Sequence, residues 1–273
     1  MSKKNLIVVG NGMVGHHFLE RMVDTPAVSD FDIKVFGEEK MLAYDRVHLS
    51  EYFSGASHSD LAMGTAEWYA EHRIDLHLDE GVTAIDRDRQ LVITPQGEYP
   101  YDKLVMATGS YPFVPPIKGN EHPNCLVYRT LEDLDSIRAS AEGVKTGVVV
   151  GGGLLGLEAA NALKSLGLEA HVVEFAPRLM PVQLDSDGGA LLKHKIEELG
   201  VQVHTEKATS EIVEGEDARL RMNFSDDSHL ETDLIVFSAG IRPQDALARK
   251  CGLAIGERGG IVINDQCTTS DPN

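Results

Sequence analysis

Val148-Val149-Val150-Gly151-Gly152-Gly153-Leu154-Leu155-Gly156 is an apolar run that breaks into a glycine turn, and Leu6-Ile7-Val8-Val9-Gly10-Asn11-Gly12-Met13-Val14-Gly15 repeats the arrangement near the start of the chain. Each reads as a buried strand, a tight turn and the start of a helix. In such a turn the first glycine lets the chain leave the strand. The second lets the backbone approach a pyrophosphate, and the third lets the helix pack on the sheet. The helix N-terminus adds unpaired N–H groups and positive dipole. Gly10, Gly12 and Gly15 fill these positions once; Gly151, Gly153 and Gly156 fill them again. Met13, Leu154 and Leu155, in the first helical turns, are counted with the cofactor contacts. One such motif is a weak signal. Two, each in strand-to-helix context, predict two nucleotide cofactors and hence electron transfer.

Both following segments carry helical spacing. Val14, Phe18 and Met22 share one face, as do Leu154, Leu157, Ala160 and Leu163, and Gly167 supplies a stop. A ribose-binding carboxylate is expected at the end of the next strand. After Ala170-His171-Val172-Val173 it is Glu174, about twenty residues past the glycines. After Asp32-Ile33-Lys34-Val35-Phe36 it is Glu38 or Glu39. A carboxylate accepts two ribose hydroxyls and repels a 2′-phosphate, so Glu174 favours NADH; Arg178 lies close enough in sequence to admit NADPH.

The chain has 273 residues, enough for two α/β domains with a large core. Its 43 acidic residues against 25 basic ones, a net charge of -18, argue against nucleic acid and against an anionic membrane surface. Pyrophosphates, held by local backbone donors, are not excluded. No apolar stretch is long enough to span a bilayer. Met1-Ser2-Lys3-Lys4 runs straight into the first strand, so no signal peptide is expected. Cys125, Cys251 and Cys267 are far apart, which fits a reduced, cytoplasmic protein and excludes a Cys-x-x-Cys redox pair. His16 and His17 are adjacent on a helix and cannot face one ligand, so no metal site is expected.

Residues 1–113 read as one unit, with an irregular stretch from Met41 to Ser59, a hairpin near Leu91–Thr94 and Tyr99–Tyr101, and a strand from Lys103 to Ala107. Tyr111-Pro112-Phe113-Val114-Pro115-Pro116 reads as a linker. Residues 114–243 form the second unit, with helices near Leu131–Ala141 and Ala190–Leu199 and a polar turn at Ser225-Asp226-Asp227-Ser228. Residues 244–273 follow as a return segment, strand-like from Gly259 to Asp265.

These residues resemble the two-dinucleotide flavoproteins of the pyridine-nucleotide oxidoreductase family, over essentially the whole chain. The resemblance implies an α/β fold of two Rossmann-like three-layer dinucleotide-binding domains, the second inserted in the first. It assigns FAD to 1–113, NAD(P)H to 114–243, and to 244–273 a return to the FAD domain that stops short of the family's second FAD motif. Ala107-Thr108-Gly109 and Gly240-Ile241-Arg242-Pro243 look like the two domain-crossover motifs, which places Thr108, Gly109 and Gly240 at the cofactors. Val82 sits where the family passes backbone along the adenine ring. Arg46 looks like an FAD pyrophosphate partner, and Glu158 is implied to point toward the nicotinamide.

Gly10-Asn11-Gly12-Met13-Val14-Gly15, Ala43-Tyr44-Asp45-Arg46-Val47-His48-Leu49-Ser50, Tyr128-Arg129-Thr130-Leu131-Glu132-Asp133-Leu134 and Val173-Glu174-Phe175-Ala176-Pro177-Arg178-Leu179-Met180 further resemble the N-terminal region of the NAD(P)H nitrite reductase large-subunit family. That resemblance implies FAD and NADH here, with NADPH as an alternative donor. An iron–sulfur cluster and a sirohaem lie in downstream modules, where nitrite becomes ammonia. Reductases serving single-electron acceptors continue Tyr-Asp-Arg as Pro-x-Leu-Ser-Lys. Val47 and Glu51 replace the proline and the lysine, so no catalytic lysine is assigned. Two alternatives stand beside this reading: a free-standing NADH-dependent ferredoxin- or rubredoxin-type reductase, and a non-catalytic module that senses NADH.

Overall fold

The computed structural model describes residues 3–273. The first part of the chain forms β1 (Lys4–Val9), α1 (Met13–Val23), β2 (Phe31–Phe36), α2 (Ala66–Glu71), β3 (Ile74–His77), β4 (Ala84–Asp86), β5 (Leu91–Ile93), β6 (Glu98–Pro100) and β7 (Lys103–Met106). Four of these strands make a parallel sheet in the order β3-β2-β1-β7. The strands are almost unbroken apolar runs because both faces are covered. Leu6 and Val8 face one side and pack with Leu19 of α1 and Tyr69 of α2. Ile7 and Val9 face the other and pack with Ile85, Val92 and Tyr101, from the antiparallel β4-β5-β6 sheet and the residue following it. The result is three layers: helices, parallel sheet, antiparallel sheet.

The same plan recurs. After β8 (Ser110–Pro112) come β9 (Cys125–Val127), α3 (Leu131–Ser140), β10 (Thr146–Val150), α4 (Leu154–Ser165), β11 (Glu169–Val173), α5 (Ser186–Glu198) and β12 (Gln202–His204). Then follow β13 (Thr209–Glu214), β14 (Leu220–Phe224), β15 (His229–Thr232), β16 (Leu234–Phe237), β17 (Ile241–Pro243) and α6 (Ala246–Lys250). The parallel order is β12-β11-β10-β16-β9, and β13-β14-β15 is an antiparallel meander. Val148, Val150, Val173, Ile235 and Phe237 pack against Ile212, Leu220, Met222 and Phe224 of that meander. Helix α4 lies on β10 and β11. The chain is thus α/β with two Rossmann-like three-layer units.

The first unit comprises the chain up to Arg46, His58–Tyr111 and Arg242–Asn273; the second comprises Val47–Ser57 and Pro112–Ile241. The second therefore interrupts the first. The division at 113/114 and 243/244 expected from sequence misses one piece, residues 47–57. Leu49–Ser54 form a 3₁₀ turn that packs on α4. The Tyr52 hydroxyl donates to Asp135, and Arg138 donates to the Tyr52 carbonyl at 2.9 Å with its guanidinium 3.8 Å from the Tyr52 ring centre.

Several local expectations are corrected. Helix α5 starts at Ser186, not Ala190, because the Asp185 side chain accepts from Gly188 N–H at 2.8 Å and takes two glycines into the helix. The proline run opens as strand β8 rather than linker. Gly259–Asp265 forms no strand: Gly259 and Gly260 have φ of 86° and 81°, and Asn264 Oδ1 accepts from the Gln266 and Thr268 N–H groups. Val14 and Leu154 do not face the core; both are exposed at the starts of their helices, while Gly15, His16 and Leu19 of α1 are buried.

Candidate functional site

Helices α2, α3 and α5 begin with a side chain that accepts a first-turn N–H: Thr65, Thr130 and Asp185. Helices α1 and α4 begin at Gly12 and Gly153 with no side-chain cap and no acidic residue in the first turn. Their leading N–H groups remain as donors, which is what an anion at a helix N-terminus requires.

The turns ahead of them are built alike. Gly10 and Gly151 have φ of 111° and 122°, a left-handed conformation suited to glycine. A Cβ on Gly15 would lie 2.0 Å from Gly10 O, and one on Gly156 would lie 1.9 Å from Gly151 O. These glycines let each helix touch its turn. A Cβ on Gly12 or Gly153 would meet nothing within 4 Å. The first and last glycines of each turn are therefore crowded, as is Gly152 in the second, while Gly12 and Gly153, which flank the uncapped helices, are open. Met13, Leu154 and Leu155 are the first helical residues beyond them. The residues present fit a pyrophosphate at both turns.

The carboxylates differ. Glu174, at the end of β11, accepts from Gly152 N–H at 2.5 Å through one oxygen and from Ala176 N–H at 2.7 Å through the other. Each oxygen keeps a second lone pair. Glu39 is engaged by Arg46, an ion pair, and by the Tyr44 hydroxyl at 2.7 Å. Glu38 is exposed, and Gln244 Nε2 donates to it at 3.3 Å. Arg46 stacks 4.6 Å from the Tyr44 ring centre, and its backbone N–H lies 3.4 Å from Met13 Sδ. Arg178 gives Nε–H to Leu184 O at 3.0 Å and a second donor to Pro181 O at 3.3 Å, so it folds onto its own loop.

Val82 packs against the β4–β6 core. The Thr108 hydroxyl donates to Gln244 O at 2.7 Å, and Gly109 O, with φ 71° at that residue, accepts from Gln244 N–H at 2.9 Å. Gly240, with φ 113°, accepts from Phe113 N–H at 2.8 Å and has open space where a Cβ would stand. Thus Gly10, Gly12, Met13, Gly15, Glu39 and Arg46 are gathered at the first turn, and Gly151, Gly153, Gly156 and Glu174 at the second.

Glu158 lies two residues past Gly156 on α4. Burial raises its pKa, and the charge of His48 opposes the shift. Tyr128 lies in the same electrostatic neighbourhood: burial and then Glu158 raise its pKa, and its hydroxyl is buried without a hydrogen-bond partner among the described residues. Sequence reading passed over Tyr128. It also assigned no shared role to Asn11, Tyr69 and His16 beside the first turn, the first half-buried and the other two buried, in which His16 Nδ1 lies 2.8 Å from Tyr69 Oη. A polar Asn between the turn's glycines, and a His at a helical core position, were the available signals. Among the described residues no three His, Cys, Asp or Glu side chains gather to hold a metal, and no helix is long and apolar enough to cross a membrane.

Two uncapped glycine turns, each on its own three-layer α/β unit, define a protein of the double dinucleotide-binding class. The chain belongs to the pyridine nucleotide-disulphide oxidoreductase family, whose profile matches residues 4–273, and that membership brings FAD and NAD(P)H as its cofactors. It is 59% identical over its whole length to the nitrite reductase [NAD(P)H] large subunit of Klebsiella oxytoca and 55% identical to the nitrite reductase (NADH) large subunit of Escherichia coli (strain K12). It spans only 28% and 32% of those two relatives. Among solved structures, the putidaredoxin reductase–putidaredoxin complex superposes with a TM-score of 0.90 at 30% identity, covering 100% of this chain and 66% of that one.

Proposed function

We propose that the first unit holds FAD, that the second holds NADH, and that the chain is the electron-input part of a nitrite reductase. The observation that carries the reading is the repeated uncapped glycine turn, supported by the high identity to two nitrite reductase large subunits. FAD, when bound, supplies a hydride acceptor that releases electrons singly or in pairs.

The chain's own residues hold and orient. In the first unit, the α1 N-terminus and Gly12 take the FAD pyrophosphate, with Arg46 beside them. Glu38, less engaged than Glu39, takes the ribose. The backbone at Val82, Thr108 and Gly109 completes that wall. In the second unit, the α4 N-terminus and Gly153 take the NADH pyrophosphate, and Glu174 takes the adenosine ribose on its remaining lone pairs. A 2′-phosphate would meet the Glu174 carboxylate, while Arg178 is occupied with Leu184 and Pro181, so NADH is preferred over NADPH. Glu158, a half-buried side chain whose pKa burial raises, meets the nicotinamide amide and donates a hydrogen bond to it when protonated. Gly240 lets the backbone turn without obstructing the ring.

Beyond the matched share of the relatives, an iron–sulfur cluster and sirohaem would receive the electrons and reduce nitrite to ammonia. The strongly acidic chain works in the cytoplasm, away from nucleic acid and membranes. The test is a visible spectrum of the FAD-loaded chain, followed by anaerobic NADH. Bleaching by NADH, with slower bleaching by NADPH, is expected. A chain that takes up no flavin, or a bound flavin that NADH leaves oxidised, rejects the reading.

A further inference from the structure

The trio beside the first turn, buried His16 and Tyr69 with half-buried Asn11, is over-committed in hydrogen. His16 Nε2 lies 3.1 Å from Met63 O, His16 Nδ1 lies 2.8 Å from Tyr69 Oη, and Tyr69 Oη lies 2.9 Å from Asn11 Oδ1. A carbonyl only accepts, so Nε2 carries hydrogen. In a neutral ring Nδ1 then accepts, and Tyr69 must donate to it. The same O–H cannot also donate to Asn11 Oδ1. With Asn11 as placed, all three bonds require an imidazolium in a side chain that is 1% exposed. A half-turn of the Asn11 amide removes the conflict: its NH2 donates to Tyr69 Oη and the ring stays neutral. An independent observation favours this state. As placed, Asn11 Nδ2 is buried without a partner. Turned over, that position holds a carbonyl oxygen, a less costly orphan than an N–H. Burial acts in the same direction, holding the His16 pKa below the usual imidazole range against the pull of Glu20, 3.7 Å away, and of the Met63 carbonyl, with His17 adding to the downward push.

We propose that Asn11, Tyr69 and neutral His16 are positioning residues for the dinucleotide at the first glycine turn, forming a one-way relay from the Asn11 amide through Tyr69 and His16 to the Met63 carbonyl. The proposal rests on the reading that this unit holds FAD. Asn11 is the middle residue of Gly10-Asn11-Gly12, so the relay clamps the turn from beneath. Its far end reaches Arg46. Met63 N–H donates to Ala43 O at 2.8 Å, and the next residue, Tyr44, holds Glu39, the partner of Arg46. Arg46 N–H in turn meets Met13, two residues from Asn11, and closes the ring. Gly64 is part of the design, since a Cβ there would lie 2.6 Å from His16 Cε1. Protonating His16 removes the acceptor for Tyr69 and reverses the relay.

Two measurements on the 273-residue chain test this: ¹⁵N-histidine NMR without FAD, and FAD titration of wild type, Tyr69→Phe and His16→Gln from about pH 7.5 to pH 5. At the upper pH, His16 is expected to be neutral with its proton on Nε2. Tyr69→Phe should weaken FAD binding about 3- to 10-fold, the worth of one hydrogen bond, with NADH affinity unchanged. Wild-type FAD affinity should fall as His16 protonates. His16→Gln, whose carbonyl accepts from Tyr69 while its NH2 donates to Met63, should keep the affinity and lose the pH dependence. An imidazolium or an Nδ1–H tautomer at the upper pH overturns the proposal. So does a Tyr69→Phe variant that melts lower yet binds FAD as wild type does. Wild type and variants alike failing to take up FAD would overturn the functional reading itself, and the NMR result then stands apart from it.

Discussion

The Glu174 carboxylate caps the middle of its own glycine turn, accepting the Gly152 N–H at 2.5 Å. One side chain thus holds the turn's shape and, in the proposed function, the ribose laid on it. Glu174→Ala removes both roles. The KM for NADH should rise about tenfold or more, as expected when a charge-assisted hydrogen bond is lost, while bound FAD is unchanged. Steady-state NADH oxidation with an artificial acceptor measures this, and an unchanged KM would remove Glu174 from the site.

The crowded and open glycines separate folding from binding. Gly156→Ala forces a Cβ to within 1.9 Å of Gly151 O and should cost about 1–3 kcal/mol, the range for overpacking. Gly153→Ala meets no protein atom and should leave Tm nearly unchanged while weakening NADH. Thermal melts set beside NADH titrations of the two variants check the pair. Equal loss of Tm in both would refute the distinction.

Acid should destabilise the fold. Burial pushes the pKa values of His16, His171 and His204 down, and for His204 the neighbouring His171 adds to the effect. Unfolded, these rings take protons near the ordinary value of about 6.5. Below that pH the unfolded chain binds protons that the folded chain refuses, so stability is present above about 6.5 and lost as pH falls. His171 Nδ1 lies 3.0 Å from His204 Nε2 with the rings stacked, so a proton on one opposes a proton on the other. Tm recorded from about pH 7.5 to 5 should fall, and replacing both histidines by asparagine should flatten the slope.

Glu158 predicts the opposite limb of an activity profile. With its pKa raised by burial, the carboxyl keeps its proton to higher pH than an ordinary glutamate and loses its donor as pH rises. NADH kcat/KM should decline on that side in wild type. Glu158→Gln, a permanent donor, should show no such limb. Identical profiles would mean that Glu158 does not meet the nicotinamide.

The two glycine turns, their strands and their helices were legible because each glycine answers a local demand of the backbone that sequence spacing records. The three-layer plan was read only through the resemblance, although Leu220-Arg221-Met222-Asn223-Phe224 of β14 alternates in strict period two and was an available signal; β13 and β15 are less clearly patterned. Residues 47–57 escaped because membership of the second unit depends on Tyr52 meeting Asp135 and Arg138, far away in sequence. The Gly259–Asp265 stretch misled because the apolar run Ile261-Val262-Ile263 matters less than the two left-handed glycines before it. Arg178 read as a phosphate ligand from proximity alone, and its carbonyl partners Leu184 and Pro181 are set by the loop's path. The relay through His16 was invisible because Asn11, Met63 and Tyr69 share no spacing.

That Val47–Ser57 belongs to the second unit bears on any attempt to dissect or recombine this protein. A gene fragment cut at the apparent border would leave the second unit without the eleven-residue strap whose Leu49–Ser54 turn packs on α4 and whose Tyr52 meets Asp135 and Arg138 of α3, and would leave the first unit with a loose end. Chimeras between relatives must carry 47–57 together with 112–241, so the inheritable module is not a continuous stretch of sequence.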